Sequence, residues 1–251
     1  MRQEFHVVES AQALSRTAAE DFVRCAAEAV RERGRFVVAL SGGSTPKSLF
    51  QLLATSKFAS RVDWPNVHVC WGDERCVSPD DERSNFRMAS DALLDHVPLL
   101  GANIHRMRGE DAPDVAAAEY AGALRELFNM PEQCDDEFPS FDLILLGLGT
   151  DGHTASLFPH SAALEEASRW IVAEYAESVA MWRITFTLPL INASRRVLFL
   201  VAGADKADVV RDLRSSTNEL ERLPAARITP NHGTVQWLFD RAAYSKVPTP
   251  T

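Results

Sequence analysis

Cysteine is scarce in this chain: 251 residues contain four, at positions 25, 70, 76 and 134. No two form a C-x-x-C pair, and the spacings match no zinc pattern, so neither a structural zinc site nor a dithiol redox centre is expected. Reduced cytosolic thiols are expected instead. Long apolar runs are also missing. The most apolar stretch, residues 141–149, is far too short to span a bilayer. The first ten residues lack the apolar core of a signal peptide, so a cytoplasmic protein without membrane contact is expected. Basic charge is in deficit, with 26 lysines and arginines against 35 acidic residues and a formal charge of −9. That balance argues against a general nucleic-acid surface. It leaves room for an anionic small ligand in a local basic pocket. Aromatic residues, 8% of the chain, are scattered and form no stacking platform for bases.

What is present is ordinary globular material. Hydrophobic residues make up 46%, enough to bury a core without disulfide or metal staples. Short aliphatic runs alternate with longer helical stretches, which predicts an α/β fold with a mostly parallel sheet covered by helices. Strands are predicted over 5–8, 35–40, 66–71, 104–107, 141–146, 170–173, 183–188, 196–201 and 234–239. Helices are predicted from Ser10 to Gly34, from Pro46 as the first helical residue, from Ser84 as cap to residue 94, over 113–129, and from Asp205. Residues 73–83 read as a polar loop. The acidic stretch 130–140 reads as an exposed loop, too short to separate two folding units. Residues 1–251 are therefore expected to form a single domain.

Three segments have the composition of a site. In the first, Ser41, Gly42, Gly43, Ser44, Thr45 and Pro46 join a strand to a helix. The free N–H groups of a helix start suit a phosphate, and Ser44 and Thr45 add hydroxyls. An ordinary strand–helix turn capped by Thr45 explains the segment equally well, and the spacing is not that of a Walker A loop. In the second, Trp71, Gly72, Asp73, Glu74 and Arg75 follow a strand, with Ser84, Asn85 and Phe86 downstream. Asp73 can accept from sugar hydroxyls, and Arg75 can grip a phosphate or carboxylate. A solvated charged loop is the competing reading. The third runs from Gly147 to Pro159. Gly147, Gly149 and Gly152 satisfy G-x-G-x-x-G, the dinucleotide fingerprint. That fingerprint needs a helix running on past its third glycine, and Pro159 interrupts one here. His153 offers a better reading: an imidazole in a glycine loop, with Asp151 two residues away to orient it, is equipped to activate water. Arg183 and Lys206 are candidate cations for a phosphate pocket, although surface placement explains each alone. His68, Cys70 and Asp73 lack a further ligand at suitable spacing, so no metal site is expected. No G-x-S-x-G elbow supports a serine triad.

Taken together, these segments resemble the 6-phosphogluconolactonase family. The resemblance rests on Ser41–Pro46, the Trp71–Arg75 run with Ser84, Asn85 and Phe86, the run from Gly147 through His153 to Pro159, Arg183 with Ile184 and Thr185, and Gly203 through Lys206. It implies a Rossmann-like fold with helices on both faces of the sheet, no metal and no organic cofactor. It implies hydrolysis of 6-phospho-D-glucono-1,5-lactone to 6-phosphogluconate, in the oxidative branch of the pentose phosphate pathway. His153 would be the general base with Asp151 beside it. Gly42, Gly43, Ser44, Thr45, Asp73, Arg75, Arg183 and Lys206 would bind substrate. The expected partner is this small molecule alone, and the expected assembly a monomer or weak homodimer. Glucosamine-6-phosphate deaminases resemble the chain too. They carry a glutamate before the proline that closes the histidine segment, where Phe158 stands here, and a tyrosine where Arg75 stands. A stand-alone sugar-phosphate binder is the remaining alternative. A regulator would carry a DNA-binding helix-turn-helix, and a first strand beginning near residue 5 leaves no room ahead of it.

Overall fold

The computed structural model describes residues 2–131, 137–215 and 223–248. Cys134 and the middle of the predicted 130–140 loop lie outside them.

Among the described residues nine strands form two sheets. Six are parallel, in the order β1-β9-β8-β5-β2-β3: β1 (Arg2–Val8), β2 (Phe36–Leu40), β3 (Val67–Trp71), β5 (Leu143–Leu146), β8 (Arg196–Val201) and β9 (Thr234–Asp240). The other three, β4 (Asp73–Arg75), β6 (Ile171–Ala176) and β7 (Met181–Phe186), form an antiparallel sheet in the order β4-β7-β6. The predicted 170–173 and 183–188 strands therefore exist but do not extend the main sheet. Their exposed positions, Tyr175 and Trp182, are direct cross-strand partners near the connecting turn, while Ile171, Val172, Ile184, Thr185 and Phe186 are buried. Asp73–Arg75, read from composition as loop, pairs with β7 through Asp73↔Thr185, Glu74↔Ile184 and Arg75↔Arg183. Three charged residues make a strand because β7 supplies its partner, which strand propensity does not report. The predicted 104–107 strand reduces to one bridge, Val69↔Ile104.

The helices are α1 (Ala11–Arg33), α2 (Ser44–Leu53), α3 (Ser56–Ala59), α4 (Asn85–Ala92), α5 (Pro113–Phe128), α6 (Leu188–Asn192) and α7 (Ala207–Arg214). Ser10 caps α1 by accepting from the Ala13 N–H at 3.2 Å, and Gly34 ends it in the left-handed region at φ 75°. Ser84 caps α4, accepting from the Arg87 N–H at 3.1 Å. Two predicted starts shift. α2 begins at Ser44, with Gly43 as its cap rather than Thr45, and Pro46 is its third residue. A 3₁₀ turn, Ala204–Lys206, precedes α7 at Ala207.

Successive residues of the central strands point to opposite faces. Phe36, Val38 and Leu40 join α1, α2, α3 and α4 in one core, while Val37 and Ala39 join α5, α6, α7 and the antiparallel sheet in the other. Such double burial explains why β2 and β5 contain no polar residue. From β2 the chain steps outward to β3. It then crosses back, laying down β5, β8 and β9 on the other side. β2 and β5 are neighbours whose connections leave in opposite directions, the position at which open parallel sheets form a crevice beyond their carboxyl ends. Among the described residues no helix is long and apolar enough to cross a membrane.

Candidate active site

A cavity of about 230 Å³ opens at that crevice. The turn after β2 contributes Gly42, Gly43, Ser44 and Thr45; β4 contributes Asp73 and Arg75; α4 contributes Asn85. The loop after β5 contributes Gly147, Gly149 and His153, and the turn after β8 contributes Lys206. Residues as far apart as 42 and 206 meet because the turns after β2, β5 and β8 leave the same edge of the parallel sheet, where β4 and α4 add their side chains.

The segment after β5 is held in a particular shape. The Thr154 hydroxyl donates to the Gly147 carbonyl at 2.9 Å, and the Gly149 N–H donates to the His153 carbonyl at 2.8 Å. Gly152 adopts φ 83° and Ala155 φ 48°. No helix follows Gly152, which removes the dinucleotide reading on conformational grounds. Asp151 does not line the cavity; it sits behind His153. Its Oδ1 accepts from His153 Nδ1 at 2.6 Å and from the His153 N–H at 3.1 Å. Burial works against ionisation of Asp151, but these hydrogen bonds outweigh it, and the carboxyl lies below its ordinary value. An ionised carboxylate only accepts, so Nδ1 of His153 is the donor in this bond, and in the neutral ring that tautomer has its lone pair on Nε2. Gly149 makes the pair possible, because a Cβ there would overlap both the His153 ring and the Asp151 carboxylate. The Phe158 ring packs on His153 with centroids 4.5 Å apart.

Cationic charge gathers in and beside the same cavity lining. Arg75 and Arg183 are direct cross-strand partners. Arg183 is 9% exposed and lies beside the cavity lining. Its guanidinium is pushed below its ordinary value, first by burial and next by the charge of Arg75. The Nε atoms of Arg75 and Arg183 are both buried without a hydrogen-bond partner. Arg75 spends one Nη1 donor on the Arg83 carbonyl. Two adjacent guanidiniums, each with a buried and unpartnered Nε, form an anion-seeking arrangement. Lys206 also lines the cavity, its Nζ 3.3 Å from Asp205. At the start of α2, Gly43 provides no side-chain cap, so the N–H groups of Ser44 and Thr45 have no capping acceptor.

Four residues that sequence reasoning passed over or left without a role organise this lining. Glu74, 3% exposed, accepts from the N–H groups of Arg75, Asn85 and Phe86 at 2.7, 2.7 and 2.8 Å, and from the Ser84 hydroxyl at 3.0 Å. Burial raises its carboxyl, with those N–H donors opposing. Asn85 donates to the Asp73 carbonyl at 2.9 Å and occupies the space a Cβ on Gly42 would need. Ser156 and Thr185 close the network toward the His153 segment. The Ser84-Asn85-Phe86 run was the available signal for Asn85; nothing local marks Ser156, which touches partners far away in sequence. Among the described residues no group of three or more histidine, cysteine or acidic side chains is disposed to hold a metal.

A carboxylate-backed histidine and an arginine share the lining of one small polar cleft, with a second, buried arginine beside it, an arrangement chemically suited to acid–base work on a small anion. The sequence pattern described as glucosamine-6-phosphate isomerases/6-phosphogluconolactonase matches residues 9–237. The chain belongs to this family. It is 45% identical over 217 residues to a 6-phosphogluconolactonase of Synechocystis sp. and 44% identical over 216 residues to one of Nostoc sp., covering 86% of this chain and of the relative in each case. The structure of 6-phosphogluconolactonase from Trypanosoma cruzi superposes with a TM-score of 0.87 at 28% identity, covering 99% of this chain and 98% of that one.

Proposed function

We propose that this chain, acting as a single-domain enzyme, hydrolyses 6-phospho-D-glucono-1,5-lactone to 6-phosphogluconate, with His153 as general base. The observation that carries the reading is the Asp151–His153 pair at 2.6 Å, opening on a cavity whose lining also holds Arg75 and, beside it, Arg183. The names of the Synechocystis and Nostoc relatives support the same substrate.

In this mechanism Nε2 of His153 takes a proton from water as the oxygen attacks the lactone carbonyl C1. Asp151 remains ionised, stabilises the imidazolium and prevents the ring from turning. The tetrahedral oxyanion draws on donors lining the cavity, for which the uncapped Ser44 and Thr45 N–H groups and the Arg75 side chain are the candidates. Its collapse expels the ring oxygen, which recovers the proton from Nε2. The arginine pair and Lys206 bind the remote phosphate and hold C1 against the water. Phe158 packs on the imidazole where a deaminase would carry its acid, which supports hydrolysis over ring-opening deamination.

The test is hydrolysis of freshly prepared lactone, corrected for the spontaneous rate. Wild-type protein is expected to accelerate it strongly, and no acceleration sinks the reading. His153→Ala is expected to lower kcat by roughly 10²–10⁴-fold, while 6-phosphogluconate binding by calorimetry stays within a few-fold of wild type. Normal turnover by that variant removes His153 as the base.

A further inference from the structure

Asp73 has the composition of a sugar-hydroxyl acceptor, but its surroundings give it different work. The side chain is 7% exposed although it borders the cavity. Oδ2 accepts from the Ser156 hydroxyl at 2.7 Å, and Oδ1 lies 3.4 Å from Asn85 Nδ2. Asp73 and Thr185 are direct partners across β4 and β7. Ser156 reaches both members of that pair, since its own N–H donates to the Thr185 hydroxyl oxygen at 3.1 Å. The Thr185 hydroxyl passes its proton on to the Phe186 carbonyl at 3.0 Å. Ser156, Asn85 and Thr185 are all buried, at 1%, 1% and 0% exposure. Every donor in the chain has an acceptor.

We propose that Ser156 is a positioning residue. Through the buried Ser156–Asp73–Asn85 chain it ties the His153 segment to the antiparallel sheet and to the Gly42 turn, so that base and cavity lining keep one geometry. The physical need is clear from the local backbone. Ala155, immediately before Ser156, sits at φ 48°, a conformation that a side-chain-bearing residue adopts only when its surroundings impose it. The Ser156 bonds come directly after that residue and supply such a constraint. On the other side, Asn85 fills the space over Gly42, so a shift of Asp73 transmits to the turn that starts α2. Ser156 and Thr185, at 1% and 0% exposure, are shielded from solvent and lie outside the cavity lining to which Asp73 and Asn85 belong, so the chain acts as a unit. Asp73 accordingly acts on the reaction through Ser156 rather than as a base on the substrate.

The inference rests on the lactonase reading for its kinetic readout, and a second readout is independent of it. Ser156→Ala in the full-length protein is expected to lower kcat about 10- to 100-fold, the scale set by misplacing a reacting group by about 1 Å. KM is expected to change less than threefold. Ser156→Thr, which keeps the hydroxyl, is expected to recover at least half of the lost rate on a logarithmic scale. In a double-mutant cycle, Ser156→Ala with Asp73→Asn is expected to be no slower than the slower single variant. The independent readout is the His153 Nδ1 proton, observed by NMR in histidine-labelled protein without substrate. It is expected to exchange with solvent at least tenfold faster in Ser156→Ala. Unchanged kcat and unchanged exchange in Ser156→Ala overturn the proposal. Losses that simply add in the double variant also overturn it, as does a Thr variant no better than Ala. Should wild type fail to hydrolyse the lactone while exchange still rises in Ser156→Ala, the positioning role stands and the substrate assignment falls.

Discussion

At the scale of single residues, the site depends on what Gly149 lacks. The Asp151–His153 pair folds back over position 149, and a Cβ there would meet both side chains. Gly149→Ala is therefore expected to break the 2.6 Å bond and lower kcat on the order of 10²-fold. Its fold should survive, because the collision is with the His153 and Asp151 side chains and not with a strand backbone. Near-wild-type kcat in steady-state assays would show that the pair tolerates rearrangement. The arginine pair invites a separate prediction. Arg183 has a buried Nε with no acceptor and is depressed by burial and by Arg75, so an anion bound between them relieves an existing cost. Arg183→Met is expected to weaken 6-phosphogluconate binding about 10-fold or more, since a charge-assisted hydrogen bond contributes roughly 1.5–3 kcal/mol. Lys206, more exposed and already near Asp205, should matter less. Calorimetry on both variants checks the order; equal or absent effects remove Arg183 from the anion site. These residue types were visible in the sequence, but their roles divide by placement. Asp73 borders the cavity as expected of a candidate ligand, and its carboxylate is also bonded to Ser156 and lies near Asn85, partners that no local property of Asp73 announces.

At the scale of elements, the edge strand β3 carries a titratable contact outside the site. His68 on β3 and His105 in the segment bridged to it lie with Nδ1 and Nε2 3.2 Å apart, their rings stacked. Burial lowers both, with the charge of Arg35 adding to each; His105 is held down to about 4. The sign follows from linkage. Below the ordinary histidine value near 6.5 the unfolded chain takes up protons that the folded pair refuses, so acid favours unfolding. The contribution is fully present above about 6.5 and is lost as pH falls toward about 4. His105→Gln is expected to flatten the dependence of Tm on pH across that window, while wild type loses stability steadily. Parallel curves for the two proteins would show the pair to be inert. Elements with strong local signals agreed with expectation: the Ser10 and Ser84 caps, the Gly34 stop, and the doubly buried runs of β2, β5 and β8. Errors fell where local chemistry is weak. Asp73–Arg75 is a strand only because β7 lies beside it, and the 104–107 run has one bridge because β3 is a short edge.

At the scale of the whole molecule, an acidic chain surrounds a cleft whose walls hold Arg75, Lys206 and, just behind, Arg183. Net charge reports the average surface, whereas the ligand meets a local field shaped by low exposure and fixed dipoles. Strand order decides where that field sits. The ends of β2 and β5 lie 106 residues apart in sequence and those of β5 and β8 lie 55 apart, yet the loops that follow share one sheet edge because parallel strands all end on the same side. The doubly covered parallel sheet is legible along the chain, in two-sided apolar strands alternating with amphipathic helices. The His153 segment is legible there too, because its glycines and neighbouring Asp151 act within a few residues of one another. Only the tertiary structure decided that β4, β6 and β7 form their own antiparallel sheet. It alone put Arg75 beside Arg183 and spent Asp73 on Ser156. Local propensity reaches about one helical turn or one strand repeat along the chain. The contacts that complete the site join residues tens to more than a hundred positions apart, and only packing selects them.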